Sequence, residues 1–440
     1  MDFKDFISQC NGPLIFNNNL NCPAIEWTPQ VLIDLLNNKM LKCKIGPKIA
    51  EDTVFETDCL YLNVTLRDFI DWCEGNVKES NPLAEIDKKK FFCYIDYKYM
   101  PDLFEDSPDL LKSVSWESFG LCTRNGKDST IWIGSEGAFT PCHYDTYGFN
   151  LVAQIYGRKR WYLFPPSDTE YMYATRIPYE ESSVFSDINI KQPDILYYTE
   201  FQKSRPYIVT LEPGQVLYVP KNWWHYVECL DTSVSINTWV EMKDDNETRI
   251  KEAITRVLIS SLVSDFQECV DTQHWINPNE EVKNCPVNIG YLHKAVTDLK
   301  LSSTHGNQDM DNFKLFCDKF KFHQVIPSSD NMCNMSESLD LNRKRPKMSS
   351  ASGVDNVLEN AYSSETTNNS VNIIRVQSYS FKDYLEFIGY SLVKLSGNEQ
   401  QETKADLCLR SETDLTKHLV KSILKPDVIN ILTKSFLDFK

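Results

Sequence analysis

The chain has 440 residues, of which 42% are hydrophobic, and a formal net charge of -16 at pH 7. Affinity for a phosphate backbone depends on clustered Lys and Arg, so this balance excludes nucleic acid as an expected partner, whereas a basic peptide or protein suits it. The fourteen cysteines include no C-x-x-C pair, which argues against structural zinc and a disulfide scaffold. No run approaches 18 apolar residues and the first residues are no signal peptide. We therefore expect a soluble cytoplasmic protein without a membrane partner.

Residues 1–125 are predicted to form an α/β region that supports the core. Thr28 and the proline after it are typical of the start of a helix, because the threonine hydroxyl caps free backbone amides. Residues 41–46 alternate apolar and charged side chains, which predicts a half-exposed strand. Thr65 with Asp68 three residues later predicts a second helix, opened by a capping box.

Residues 126–245 are predicted to form the core, since the pattern there changes to that of a β protein. Seven runs rich in β-branched and aromatic residues are predicted strands: 130–133, 150–156, 160–164, 207–211, 215–219, 224–229 and 234–240. Short strands divided by turn residues are typical of a jelly roll, so the expected fold class is mainly β with flanking helices. The stretch 167–204, rich in Tyr, Pro, Glu and Ser, is predicted to be an insertion that serves as a lid or substrate surface.

Three further regions are predicted after the core. Residues 246–324 are a helical extension, residues 325–370 a disordered linker and residues 371–440 a C-terminal helical segment. The apolar stripe of a helix at 246–264 either packs back on the β core or forms a homodimer. The basic patch 343–347 is either a nuclear-import signal or a solvated charge run, and the second interpretation is favoured.

Histidines are rare in the first 250 residues, which contain only His143 and His225. His143 opens His143-Tyr144-Asp145. Side chains two residues apart in a strand point the same way, so His143 and Asp145 can reach one ion. Two histidines and one carboxylate form the facial triad that holds non-haem Fe(II). The structural alternatives are a hydrogen-bonded strand histidine for His143 and a core residue beside two tryptophans for His225.

The strand predicted at 160–164 offers candidates for binding an acidic co-substrate. Period-two alternation places Lys159 and Trp161 on one strand face, and Arg158 and Arg160 on the other. If the face with apolar neighbours points inward, Lys159 is a buried cation able to bind a carboxylate. Strand lysines are normally exposed, so the alternation also leaves an exposed Lys159 open.

The motifs around these residues resemble those of the cupin-like JmjC-domain oxygenases. The resemblance lies in 131–145, with its Thr140-Pro141-Cys142-His143-Tyr144-Asp145 end, in 150–166, in 214–225, with its Trp223-Trp224-His225 end, and in 235–239. It extends over residues 13–265. It implies a double-stranded β-helix core that holds catalytic Fe(II) through His143, Asp145 and His225.

The same resemblance implies 2-oxoglutarate as the co-substrate. Its distal carboxylate would bind Lys159 and the Thr140 hydroxyl. The side chains of Asn150, Asn237 and Tyr94 would line the pocket around it.

By this resemblance, the expected activity is Fe(II)- and 2-oxoglutarate-dependent hydroxylation of a side chain in a protein or peptide substrate. Lysine demethylation is less favoured, because no histone-reading module is visible. The first alternative is a non-catalytic JmjC scaffold that binds a chaperone client or small heat-shock protein in a stress response. The second is a cupin that holds zinc or manganese. Such sites commonly recruit three or more histidines, however, and the β region offers two.

Overall fold

The computed structural model describes residues 12–17, 20–242, 244–263, 275–302, 372–390 and 419–438. The predicted linker at 325–370 and its basic patch at 343–347 lie outside the described residues. In the part of the chain that the structure describes, no helix is long and apolar enough to cross a membrane.

Two antiparallel sheets form the β core. Their strands are β1 (Leu14–Asn17), β2 (Leu41–Pro47), β3 (Leu60–Val64), β4 (Phe91–Tyr99), β5 (Thr130–Gly134), β6 (Phe139–Asp145), β7 (Phe149–Tyr156), β8 (Lys159–Phe164), β9 (Ala174–Thr175), β10 (Ser183–Ser186), β11 (Tyr207–Leu211), β12 (Val216–Val219), β13 (Trp224–Cys229), β14 (Ser233–Val240) and β15 (Asn372–Arg375). The larger sheet has the order β15-β1-β12-β7-β14-β5-β4-β2-β3, and the smaller has β11-β8-β13-β6-β10-β9. The expected fold class, mainly β with a cupin-like core and flanking helices, is confirmed.

The helices are α1 (Pro29–Leu36), α2 (Leu66–Glu74), α3 (Met100–Leu103), α4 (Asp245–Leu262), α5 (Cys285–Ser302), α6 (Phe381–Phe387) and α7 (Pro426–Leu437). Both predicted helix starts in the N-terminal region are confirmed. The Thr28 hydroxyl accepts a hydrogen bond from the Val31 amide. Thr65 and Asp68 exchange the two bonds of a capping box, which satisfies backbone amides that a helix start leaves free.

Apolar side chains fill the space between the sheets and cover both outer faces. Val152 and Leu217 of the larger sheet pack with Trp161 and Val227 of the smaller sheet. Helices α1 and α2 cover the outer face of the larger sheet. Both faces of β7 contact other layers of the fold, so all of its residues except Tyr156 are buried. Its sequence is accordingly a nearly continuous apolar run.

The seven predicted core strands are confirmed to within one residue at each end, but the prediction for the insertion 167–204 is incomplete. This stretch contains β9 and β10. Strand β10 pairs with β6 and places Phe185 opposite His143, so the insertion extends the smaller sheet beside a candidate metal ligand. A four-residue strand that begins and ends with serine gives too short an alternation to be recognised in the sequence.

Segments from both ends of the chain join the larger sheet. Strand β4 pairs with β5, and β1 pairs with β12, so strands on both sides of residue 125 belong to one sheet. The region 371–440 was predicted to be helical, which is wrong for β15, an edge strand paired with β1. Helix α6 follows it and buries Tyr384 against the outer face of the smaller sheet.

The helix predicted at 246–264 corresponds to α4. Its apolar residues Ile250 and Ile254 pack with Ala295 of α5 and Leu437 of α7 in the same chain. The stripe therefore packs within the chain, on neighbouring helices rather than on the sheets. A homodimer through this helix stays a prediction, and this packing gives it no support.

Candidate metal centre

His143 and His225 lie side by side because two strands distant in sequence are paired. His143 and Asp145 are on β6, whereas His225 is on β13, directly opposite His143 in the strand pairing. One potential ligand atom from each of the three residues lies within 4.8 Å of the others. The structure thus brings the predicted triad together, and this spacing suits coordination of a single ion.

Both imidazoles are oriented by backbone carbonyls. Nδ1 of His143 lies 2.8 Å from the carbonyl oxygen of Pro141, and Nδ1 of His225 lies 2.9 Å from that of Trp223. A carbonyl only accepts, so we assign the proton of each neutral ring to Nδ1, which leaves the Nε2 lone pair free for a metal.

Burial and the neighbouring His225 lower the pKa of His143 to about 4. The ring is therefore neutral at physiological pH, as metal coordination requires.

Asp145 is oriented so that one of its oxygens is engaged and the other remains available. The Trp239 indole Nε1 donates to Oδ2 at 2.9 Å, and the Asn150 amide lies 3.5 Å from the same oxygen. The second oxygen, Oδ1, lies 3.6 Å from Nε2 of His143. Two imidazole nitrogens and one carboxylate oxygen therefore fit the donor set of a non-haem Fe(II) site.

A chain of buried side-chain hydrogen bonds extends from Asp145. The amide of Asn237 donates to Asn150 at 2.9 Å, and the indole of Trp132 donates to Asn237 at 2.8 Å. Asn150 and Asn237 thus lie beside the triad, while their contact with 2-oxoglutarate stays a prediction. The roles of Trp132 and Trp239 were not predicted from the sequence. Trp239 follows Asn237 by two residues, so strand alternation places both on one face.

Lys159 is buried, as the inward-facing alternative required. It is 2% exposed, and its Nζ lies 2.8 Å from the Ser235 hydroxyl and 3.2 Å from the Tyr94 hydroxyl. Burial lowers its pKa. Among the described residues, no carboxylate forms an ion pair with Lys159. The Nε1 of Trp161, on the same strand face, is buried and has no hydrogen-bond acceptor among the described residues.

Tyr94 and Thr140 complete this polar cluster. Burial raises the pKa of Tyr94 well above its usual range, and a hydrogen bond with Thr140 opposes part of that rise. The ammonium groups of Lys44 and Lys159 each lie 5.3 Å from the centroid of the Tyr94 ring. Lys44, however, pairs with Asp96 at 2.5 Å. Of these two buried cations, only Lys159 lacks an acidic partner among the described residues, and a carboxylate of a bound molecule would supply one.

Glu180, between β9 and β10, is a half-buried carboxyl group near other acids. Burial raises its pKa to about 8, and Glu56 and Glu280 add to this rise, whereas Arg256 opposes it. In the unfolded chain the group ionises near its usual pKa of about 4.3. Between these pH values unfolding releases a proton, so this group lowers stability progressively as pH rises.

We therefore expect Glu180→Gln to raise the melting temperature by an amount that is small at pH 5 and largest near pH 8. Thermal unfolding followed by circular dichroism at five pH values between 5 and 8 measures this difference. The exposed residue Glu136, replaced by Gln, is the control. A gain that is the same at all pH values would contradict the prediction.

Comparison with known proteins places the chain in a family. A family model described as the cupin-like domain matches residues 2–246, which is more than half of the chain. The chain therefore belongs to the cupin-like domain family, as the sequence motifs predicted. All three triad residues lie within the matched region.

Similarity to curated proteins extends beyond that region. HSPB1-associated protein 1 of Bos taurus and that of Homo sapiens are each 47% identical to the chain over 299 residues, which cover 67% of this chain and 61% of the relative. The chain thus spans about three fifths of the length of these relatives. Jumonji C domain-containing protein 5 of Drosophila melanogaster is 29% identical over 252 residues, which cover 54% of this chain and 57% of that protein.

Proposed function

We propose that the protein is an Fe(II)- and 2-oxoglutarate-dependent oxygenase that hydroxylates a side chain of a protein or peptide. The observation that carries this proposal is that the triad occurs together with a buried lysine, Lys159, that has no acidic partner among the described residues. The triad offers donors for Fe(II), and Lys159 offers a cation for a carboxylate. The similarity to a Jumonji C domain-containing protein supports the same class of chemistry.

Each residue has a distinct task in this proposal. His143, Asp145 and His225 would hold Fe(II) on one face and leave the opposite face open. When bound, Fe(II) would supply the activation of O2, of which one oxygen atom is placed on a C–H bond while the other oxidises 2-oxoglutarate to succinate and CO2. Lys159 would fix the distal carboxylate, and Trp239 keeps one Asp145 oxygen turned away from the metal position.

The predicted partners of the co-substrate fall into two groups around the site. Thr140 and Tyr94 lie with Lys159, so they suit the distal carboxylate. Asn150 and Asn237 lie with Asp145, so they suit the metal end of the pocket. Ser235, which the sequence analysis did not select, joins the first group through its hydrogen bond with Lys159.

Loss of the Lys159 charge tests the co-substrate site. We expect Lys159→Met to retain metal but to bind 2-oxoglutarate about 10- to 100-fold more weakly, because a hydrogen bond to a charged group contributes about 1.5–3 kcal/mol. The measurement is anaerobic calorimetry of 2-oxoglutarate binding to protein loaded with Mn(II). Arg158→Met is the matched control, since Arg158 lies on the exposed strand face and pairs with Asp231.

Two results would contradict this proposal. Equal affinity of wild type and Lys159→Met would remove Lys159 from the co-substrate site. Failure of folded, metal-loaded wild type to bind 2-oxoglutarate would overturn the oxygenase function as a whole.

The second candidate function is a non-catalytic scaffold. The observation that favours it is the name of the relatives at 47% identity, which describes association with HSPB1. A small heat-shock protein is therefore our proposed partner under either function. Lys159 favours the oxygenase over the scaffold. A scaffold has no use for a buried cation that only a bound anion compensates.

A further inference from the structure

One buried carboxylate joins three turns that lie beside the metal triad. Asp245 is the first residue of α4 and is 2% exposed. The backbone amide of Gly148 donates to both of its oxygens, at 3.0 and 2.9 Å, and the amide of Met242 donates to Oδ2 at 2.7 Å. The ammonium of Lys221 lies 2.6 Å from Oδ1. We call these four residues the Asp245 junction.

Gly148 ends the turn that follows the triad residue Asp145. Its φ is 56°, and a Cβ at this position would clash with the carbonyl group of Val240, so only glycine fits. Val240 ends β14, the strand whose Trp239 donates to Asp145. Because Asp245 also binds the amide of a residue just after β14, it fixes the turn after Asp145 against the end of that strand.

Lys221 lies in the turn that precedes the triad residue His225. Its side chain is 8% exposed and is paired with Asp245. In the same turn, the backbone amide of Asn222 donates to the carbonyl oxygen of Asp145 at 3.3 Å. The turn before one triad residue is thus bonded to the backbone of another, and Asp245 holds it in that place.

Asp245 has more distant partners than an acid that only caps a helix. In the capping box of α2, the Asp68 carboxylate binds the amide and the hydroxyl of Thr65, three residues earlier. Asp245 binds the amide of Met242 at the same spacing, but Gly148 and Lys221 come from turns far away in the sequence. A buried ion pair adds little net stability compared with packed apolar side chains, whereas its directional bonds fix the groups that they join.

We propose that Asp245 is a positioning residue of the metal centre, which fixes Asp145 relative to His225 through the turns beside them. Strand pairing places His143 directly opposite His225, but Asp145 lies two residues beyond this last pair of β6 and β13. A metal site requires its ligands to be held within about 0.5 Å of the productive geometry. The Asp245 junction supplies the constraint that the strand pairing lacks. This inference rests on the part of the proposed function in which the triad binds a metal.

The test measures Co(II) binding to the full chain by competition with a fluorescent chelator. The N and O donors of an Fe(II) site also bind Co(II), whose visible absorption reports the arrangement of its ligands. Asp245→Asn keeps the size of the side chain and removes its charge. We expect it to weaken Co(II) binding about 10- to 100-fold, the usual loss when a residue that orients a metal ligand is replaced. We also expect the visible bands of the metal-saturated variant to shift.

Asp68→Asn is the matched control for loss of stability alone. It removes the charge of an aspartate that binds a backbone amide at the start of another helix, on the outer face of the larger sheet. We expect it to lower the melting temperature but to change the Co(II) affinity less than about 2-fold, with an unchanged spectrum. Circular dichroism identifies the temperature range in which every variant is folded.

Lys221→Met tests the same junction from its second charge and leaves the amide bonds of Asp245 in place, so it also serves if Asp245→Asn does not fold. We expect it to weaken Co(II) binding about 10-fold. Since the two residues act as a unit, the double variant Asp245→Asn/Lys221→Met is expected to lose no more affinity than the weaker-binding single variant. Lys221 also lies 3.1 Å from Asp244, and Asp244→Asn, at an exposed position, is the control for that contact.

The outcomes separate this inference from the proposed function. Wild-type Co(II) affinity and spectrum in the folded Asp245 and Lys221 variants would overturn the inference, as would fully additive losses in the double variant. If the variants lose affinity but Co(II)-loaded wild type does not bind 2-oxoglutarate, the inference is supported and only the oxygenase function is overturned. A folded wild type that binds no Co(II) would overturn both.

Discussion

Replacing Asp145 with Ala is expected to abolish stable binding of Fe(II) while the fold stays intact. Asp145 is the only carboxylate of the triad, and two neutral imidazoles alone leave the ion without its anionic ligand. The substitution also removes the acceptor of the Trp239 indole. A lost hydrogen bond of this kind costs about 1–3 kcal/mol, which a core of two packed sheets is expected to tolerate.

Metal content measures this effect after anaerobic loading with Fe(II) and gel filtration, and circular dichroism reports the fold. Glu136→Ala is the matched control, because this acid is exposed. We expect about one iron per control chain and almost none per Asp145→Ala chain. Wild-type iron content in the variant would rule out the triad as the metal site.

Local sequence patterns predicted the elements of the fold well, because the deciding interactions are local. Thr28 and Thr65 begin helices through contacts with residues three positions away. The core strands alternate or run apolar over enough residues for the period to be recognised. Short elements such as β10 and β15 were not predicted, because four residues give little pattern and because pairing with a distant strand determines them.

The candidate site could be predicted only in part for a related reason. The two-residue spacing of His143 and Asp145 is local and can be inferred from strand geometry. The position of His225 opposite His143 depends on strand register, which the sequence suggested only through the rarity of histidine and the family resemblance. Alternation along β14 places Ser235 and Trp239 on the same face as Asn237. Their contacts with Lys159 and Asp145 depend on sheet packing, which no local pattern reveals.

Removing one partner of the buried ion pair between Arg176 and Glu252 is expected to be strongly destabilising. Two hydrogen bonds, of 2.8 and 2.6 Å, join the guanidinium to the carboxylate, and the side chains are only 2% and 1% exposed. The pair connects the insertion, between β9 and β10, to helix α4. Arg176→Met leaves the Glu252 carboxylate buried without its partner, which costs about 3–5 kcal/mol.

The double variant Arg176→Met/Glu252→Met separates this cost from the value of the pair itself. Two apolar side chains in place of two charges leave no uncompensated charge, so we expect it to recover most of the lost stability. Urea unfolding measures the free energy of unfolding of each variant. Replacing Arg158 by Met breaks an exposed pair with Asp231 and is expected to cost under about 1 kcal/mol. If Arg176→Met were no more destabilising than this control, the pair would not anchor the insertion.

Because β10 lies beside the ligand strand β6, the same loss of anchoring is expected to weaken metal retention in Arg176→Met and to spare it in the double variant.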